Sequence, residues 1–255
     1  MKRGEIDYIK NIGNEGANHA LNKPYSDKKC GLYLIDIGSI IHLLPSLPAK
    51  LLDMGCGTGW TSILFAKKGY TVTGQDISDD MIELANRNKG KENLPNLGFR
   101  KGDFETINST ENYDCVVFYD SLHHAEDERA ALTVAYKSLK KDGILITLEP
   151  GGGHSKANIS IDVSKKYGVA EKDMPPYYII KIGKEIGFKR FKVYSRYSNN
   201  EVTELYDSEI PEFSTFFHFV ILIIRTILRD LKRAVINYRN IPGFLKTSNI
   251  VLLSK

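Results

Sequence analysis

A chain of 255 residues, 42% hydrophobic and 26% charged, suits one large α/β domain with an ample core. Its 35 basic and 31 acidic residues leave a formal charge of +4, too mild to argue for a nucleic-acid partner. Cys30, Cys56 and Cys115 form neither a CxxC pair nor a Cys/His cluster, so neither a disulfide framework nor a zinc site is suggested.

Residues 1–48 precede the first core strand. Met1-Lys2-Arg3-Gly4-Glu5 has charges with no apolar run behind them, so no signal peptide is expected and a reducing cytoplasm is the default. Asn14 to Tyr25 is polar and rich in turn formers, which predicts a loop. Residues 32–44 are mostly apolar and stop before Pro45, which predicts a helix packed on a sheet. Leu51-Leu52-Asp53-Met54 then runs into Gly55-Cys56-Gly57-Thr58-Gly59-Trp60, with amphipathic residues 61–68 behind it. That order reads as strand, tight turn and helix, the opening of a βαβ unit. Glycines there allow backbone angles closed to other residues and let main chain approach a ligand. The next strand, 70–75, ends in Asp76, where dinucleotide-binding folds carry the acidic residue that holds a ribose. Trp60 stands where the GxGxxG fingerprint needs its last glycine, which counts against a dinucleotide.

Ser78-Asp79-Asp80 predicts a capped helix start, with Met81, Leu84 and Ala85 as its buried stripe. A short strand, 99–101, leads to Gly102-Asp103-Phe104. Tyr113 to Asp120 is continuously apolar enough for a central parallel strand, and it runs into Ser121-Leu122-His123-His124. Ligands in open α/β sheets bind outside the carboxyl ends of the strands, so topology puts Asp120 to His124 at the site. A helix over 126–140, a turn at 141–143 and a fifth strand over 144–148 follow. That strand ends in Glu149-Pro150-Gly151-Gly152-Gly153-His154, a loop able to approach a ligand or to move as a gate. Residues 156–176 predict no regular element, 177–186 a helix, 188–194 a sixth strand and 249–255 the last one.

LLDMGCGTGW with GQDIS after it resembles motif I and its sequel in class I S-adenosylmethionine-dependent methyltransferases. The resemblance implies a Rossmann-like, seven-stranded, mostly parallel sheet with helices on both faces and an antiparallel last strand beside the sixth. It implies S-adenosyl-L-methionine as cofactor. Asp53, Gly55, Cys56, Gly57, Gly59 and Trp60 would hold its methionine and ribose part. Asp76 would take both ribose hydroxyls, Asp103 and Phe104 the adenine, and Ile77 and Asp120 would border the same site. On the acceptor side it implies a histidine after the fourth strand, His124 rather than His123. His154 is a second candidate, and either would serve as a base for an oxygen acceptor. The arm before the first strand would form a lid, from which His19 and Tyr25 face the site. No metal site is expected, because Asp120 has no clear partners. No Asn-Pro-Pro-Tyr motif follows the fourth strand, which speaks against the amino-methylating DNA and protein-glutamine branches.

Residues 196–248 exceed what a hairpin needs. Within them 213–236 pairs an apolar start with Arg225, Arg229, Lys232 and Arg233 at helical spacing. The apolar part is too short to span a bilayer, and it suits an interfacial helix, a lid or a dimer contact. The division expected is an arm or lid over 1–48, a core over 49–195 and 249–255, and an insertion over 196–248. The N-terminal arm, the loop Glu149 to His154 and the stretch Glu171 to Pro176 are together similar to methyltransferases of bacterial surface-polysaccharide biosynthesis. The acceptor expected is therefore a small molecule or a lipid-linked sugar, with peripheral contact at the inner face of the membrane through 213–236. Two rivals remain open: an NAD-dependent oxidoreductase and a cofactor-binding protein without turnover.

Overall fold

The computed structural model describes residues 2–106, 112–195, 204–208 and 249–255. Five parallel strands make the centre: β1 (Lys50–Met54), β2 (Thr71–Asp76), β3 (Leu97–Lys101), β4 (Tyr113–Tyr119) and β5 (Leu139–Leu148). β6 (Arg190–Ser195), β7 (Glu204–Ser208) and β8 (Asn249–Ser254) complete the order β3-β2-β1-β4-β5-β8-β6-β7. β8 runs antiparallel to both β5 and β6, as expected of the last strand. The seven expected strands are all present, and β7 adds an eighth at the β6 edge, antiparallel to it. The basic segment 213–236 lies outside the described residues. Among those described, no helix is long and apolar enough to cross a membrane.

Consecutive strand residues serve opposite faces. Leu52, Val116, Leu145 and Val251 join one core with Leu132, Ile179 and Ile182. Leu51, Val117, Ile146 and Ile250 join a second with Ile37, Ile40 and Phe65. Burial on both faces explains why these strands read as continuous apolar runs. The first face is covered by α6 (Glu128–Ser138) and α8 (Pro176–Ile186), the second by α3 (Cys30–Leu43) and α4 (Trp60–Lys68). Phe65 and Phe118 are fully enclosed on opposite faces, where truncating either to Ala would cost about 3–5 kcal/mol. α5 (Asp79–Lys89) starts at Ser78, whose hydroxyl accepts from Met81 N at 3.4 Å, as the sequence suggested.

Three local expectations change. Asn14 to Tyr25 is not all loop: after α1 (Lys2–Ile6), α2 (Tyr8–Leu21) continues through it, kinked at Gly13. Polar residues suffice because the core supplies partners. Thr58 Oγ1 donates to Ala20 O at 2.8 Å, and Asn88 Nδ2 to Leu21 O at 3.0 Å. Second, α7 (Asn158–Tyr167) occupies the stretch read as irregular, ending at Gly168 in the left-handed region. Third, the turn at 141–143 is a bulge inside β5, with Asp142 at φ 64° and a register shift against β4. α6 is correspondingly shorter than 126–140, capped by Asp127 Oδ1 on Ala130 N at 2.9 Å.

The N-terminal helices lie over the carboxyl edge of the sheet. Ser78 Oγ donates to Ile6 O at 2.8 Å, Glu5 Oε1 accepts from Ala170 N at 2.9 Å, and the Tyr8 and Tyr167 rings meet edge to face. Gly4 is buried, and a Cβ there would overlap the Gly168 carbonyl. Gly4→Ala is therefore expected to undock α1 while leaving the sheet intact. Hydrogen exchange should rise over residues 2–12 with little change in Tm, and a fully cooperative loss of stability would contradict this arrangement.

Candidate active site

The carboxyl ends of β1, β2, β3 and β4 open into one cleft of about 550 Å³ beneath α1 and α2. Its floor is the glycine turn. Gly55 N and Cys56 N donate to Gln75 O at 2.8 and 3.0 Å, tying the β1 end to β2. Gly57 N donates to Asp76 Oδ2 at 2.9 Å, and Ser78 N to Asp76 Oδ1 at 3.0 Å. Asp76 is thus held at the cleft wall by two main-chain donors. Burial raises its pKa despite these bonds. Gly55, Cys56, Gly57, Trp60, Asp76, Ile77, Asp103, Phe104, Asp120 and His124 all line the cleft.

Asp53 and Gly59 do not. Asp53 is buried behind the turn, where Thr61 and Ser62 hydroxyls both donate to its Oδ2 at 2.6 Å. Gly59 faces Phe99, whose ring a Cβ there would overlap, so it serves helix–sheet packing. Gly57, by contrast, has open space where a Cβ would stand, on the cleft side of the turn. Asp120 has a left-handed φ of 52°, a strained choice for a residue with a side chain, of the kind that clusters at functional sites. Its N–H donates to Leu148 O at 2.9 Å, which fixes the bend.

The other end of the cleft is built around histidines. His123 is 3% exposed, and its Nδ1–H donates to Glu149 Oε2 at 2.8 Å. Burial opposes charge on that ring, but the bond and charge of Glu149 outweigh it and raise the pKa to about 9. His124 Nδ1 lies 2.6 Å from Ala170 O; a carbonyl only accepts, so Nδ1 carries the proton and Nε2 the lone pair. Burial, reinforced by the neighbouring His123, lowers the His124 pKa to about 4. His154 does not line the cleft, contrary to its expected place beside an acceptor. Its Nε2 instead lies 2.5 Å from Glu171 Oε2.

The arm contributes residues that the sequence did not single out. Lys2 Nζ lies 2.6 Å from Asp103 Oδ2 and 3.1 Å from Glu105 Oε2. Glu5 lines the cleft 3.5 Å from His124 Nδ1, and burial pushes its pKa up to about 7. His19 lines the cleft as expected, whereas Tyr25 is 76% exposed and does not. Glu171 is the largest omission: the stretch from Glu171 to Pro176 carries part of the family resemblance, but nothing in it marks Glu171 as a cleft residue. Only the approach of residues 168–175 to the β4 end brings it there.

Comparison with known proteins fits this layout. Residues 48–185, more than half of the chain, match the methyltransferase domain family, and the chain belongs to that family. It is 36% identical over 110 residues to an S-adenosyl-L-methionine-dependent Diels-Alderase of Talaromyces variabilis, covering 41% of this chain and 38% of that protein. It is 32% identical over 102 residues to a ubiquinone biosynthesis O-methyltransferase of Actinobacillus pleuropneumoniae, covering 38% and 43%. The chain thus spans less than half the length of the curated relatives it matches. Among solved structures, an S-adenosylmethionine-dependent methyltransferase from Mesorhizobium loti aligns with TM-score 0.58 at 14% identity, over 87% of this chain and 98% of that one. The phosphoethanolamine N-methyltransferase 2 of Haemonchus contortus, in complex with S-adenosyl-L-methionine, aligns with TM-score 0.57 at 16% identity, over 87% and 52%.

The glycines predict separable defects. Gly59→Ala should lower Tm by overlap with Phe99, whereas Gly57→Ala should cost only the left-handed backbone penalty, about 1–2 kcal/mol, and narrow the cleft floor. Thermal melts of both variants check the ranking.

Asp53 gives a signed pH effect. Burial raises its pKa from 3.8 to about 6, against the two hydroxyl bonds. Stability from this group is complete below 3.8 and is lost as pH rises through about 6. Asp53→Asn does not titrate, so it should gain on the wild type across that window by about 1.4 kcal/mol per unit of pKa difference. Denaturant unfolding on either side of the window measures it, and parallel curves would refute it.

Proposed function

We propose that this chain binds S-adenosyl-L-methionine in the cleft and transfers its methyl group to a small-molecule acceptor entering at the histidine end. The observation that carries the reading is the convergence of Gly57, Asp76 and Asp103 on one cavity, in the order of the three strands that bear them. The donor set fits the cofactor. Open space at Gly57 leaves a bare backbone cradle, Asp76 offers carboxylate oxygens to ribose hydroxyls, and Asp103 with Phe104 offers an acceptor and a ring face to adenine.

When bound, the cofactor supplies an electrophilic methyl group, which leaves by in-line displacement. The protein's own work is then to bind, orient and exclude water. Tyr8, Tyr167 and Trp60 border the cleft and restrict water access. Lys2 holds Asp103 and Glu105 from the arm, so the arm and the adenine end of the cleft are mechanically joined. Of the two histidines expected on the acceptor side, His124 reaches the cavity. The small-molecule reading is supported by the similarity to a ubiquinone biosynthesis O-methyltransferase, and a sugar-containing acceptor is a narrower version of it.

The test is calorimetric titration of the chain with S-adenosylmethionine and S-adenosylhomocysteine, with NAD in parallel. Micromolar binding, about −8 kcal/mol, is expected for the first two and none for NAD. Asp76→Ala should weaken binding at least about tenfold, or about 1.4 kcal/mol. Binding of NAD alone would overturn the cofactor. Binding of S-adenosylmethionine without methyl transfer to any small-molecule acceptor in a screen would turn the reading toward a cofactor-dependent protein that does not methylate.

A further inference from the structure

His123, His124 and Glu171 each present one ligand atom such that the three atoms lie within 4.8 Å of one another. We propose that they form a binding site for a divalent transition-metal ion of the zinc class, with an open coordination position facing the cleft. Two imidazole nitrogens and one carboxylate oxygen are a donor set that first-row transition ions prefer over calcium or magnesium. Three protein ligands with a fourth position left open is the pattern of reactive rather than structural zinc sites.

The stronger argument is what stands behind each ligand. Metal-bound histidines almost always use their second ring nitrogen to donate to a carboxylate or a carbonyl. His123 Nδ1 donates to Glu149 Oε2 at 2.8 Å, and His124 Nδ1 to Ala170 O at 2.6 Å. Both rings are thereby left with Nε2 as the nitrogen available to an ion. Glu171 has its own support, with His154 Nε2 at 2.5 Å from its Oε2. Each ligand therefore has a separate partner outside the set. Glu149 in turn is fixed by main-chain donors, accepting from Leu122 N at 2.9 Å and Ser121 N at 3.2 Å.

The spacing asks for a small closure. His123 Nε2 lies 3.8 Å from Glu171 Oε2, against roughly 3.4 Å between two ligands of a tetrahedral zinc-class ion. The three ligand atoms, within 4.8 Å of one another, must all draw in to that separation. Glu171 belongs to a stretch without regular structure, so it can move without disturbing a helix or strand. The ion takes the place of the proton that His123 Nε2 otherwise turns toward Glu171. His124 and Glu171 line the cleft, so the open position meets whatever enters at that end. An acceptor with an oxygen able to coordinate, such as a phenol or a vicinal diol, is the class that would use it. That last step rests on the methyltransfer reading, whereas the metal site does not.

The experiment is titration of chelator-stripped protein with zinc by calorimetry and with cobalt by visible absorption. One equivalent of zinc, and intense cobalt bands of a low-coordinate site, are expected. Glu171→Gln and His124→Ala should each weaken zinc binding at least about 100-fold. His123 is buried, so Glu149→Gln supplies a milder variant that keeps the shape and should weaken binding about 10–100-fold. His42→Ala, on α3 away from the cleft, should bind as the wild type does. Zinc binding that is absent, not stoichiometric, or equal in wild type and the Glu171 and Glu149 variants would overturn the site. S-adenosylmethionine titrated into the same preparations separates the two ideas. Cofactor binding without zinc binding sinks the metal site alone, and zinc binding without cofactor binding sinks only the cofactor reading.

Discussion

A single buried carboxylate ties the histidine end of the cleft together. Glu149, 1% exposed at the end of β5, accepts from the backbone of Ser121, Leu122 and His123 and from the His123 ring. An unpaired charge at that depth would cost several kcal/mol, so the four donors are a condition of its being there. Their effect is to bend the chain after β4 across the end of β5. That bend puts Asp120 in the left-handed region and turns His124 into the cleft. It also lets Ser121 Oγ donate to Met54 O at 2.8 Å, which couples the histidine loop to the glycine turn after β1. Three neighbouring strand ends thus share one hydrogen-bonded frame.

That frame exists because the sheet is parallel and buried on both faces. Parallel strands deliver all their carboxyl ends to one edge, and helices on each face leave that edge as the open one. The order β3-β2-β1-β4-β5 then puts the glycine turn in the middle, with carboxylates on one side and imidazoles on the other. α1 and α2 close over it through polar contacts to the core, such as Ser78 with Ile6 O and Glu5 with Ala170 N. Contacts of that kind are individually worth about 0.5–1.5 kcal/mol, enough to hold the arm and weak enough to release it.

The features legible in the sequence are those whose cause is local. Continuous apolar runs revealed the central strands, because two-sided burial leaves no alternation to hide them. Asp76 was legible because the strand that ends in it has a fixed length after the glycine turn. α2 and α7 were not, since Asn14, Asn18 and Asn22 look like turn formers until Thr58 and Asn88 satisfy that segment. Glu5 and Glu171 reach the cleft through tertiary approach alone, and no spacing within their own segments announces it. His154 shows the converse. Its position after a glycine run suggested the cleft, yet its ring is paired with Glu171 and does not line the cleft.

The two ends of the cleft make opposite electrostatic demands. Asp76 and Asp103 face the end proposed for a sulfonium cofactor, whose positive charge they favour. The same negative field works against an acceptor oxygen that must give up its proton and carry negative charge toward the methyl group. Binding energy placed on the cofactor alone would hold reactant and transition state alike and would not speed transfer. What accelerates an oxygen acceptor is a positive centre close to it and absent from the cofactor end. Among the described residues, no lysine or arginine lines the cleft wall beside His124, since Lys2 is engaged by Asp103 and Glu105 and Lys23 lies by α3 over Tyr33. The Nε2 atoms of His123 and His124 beside the Glu171 carboxylate answer that demand once they share a cation in place of the His123 proton. The hydrogen bonds that aim them are already made.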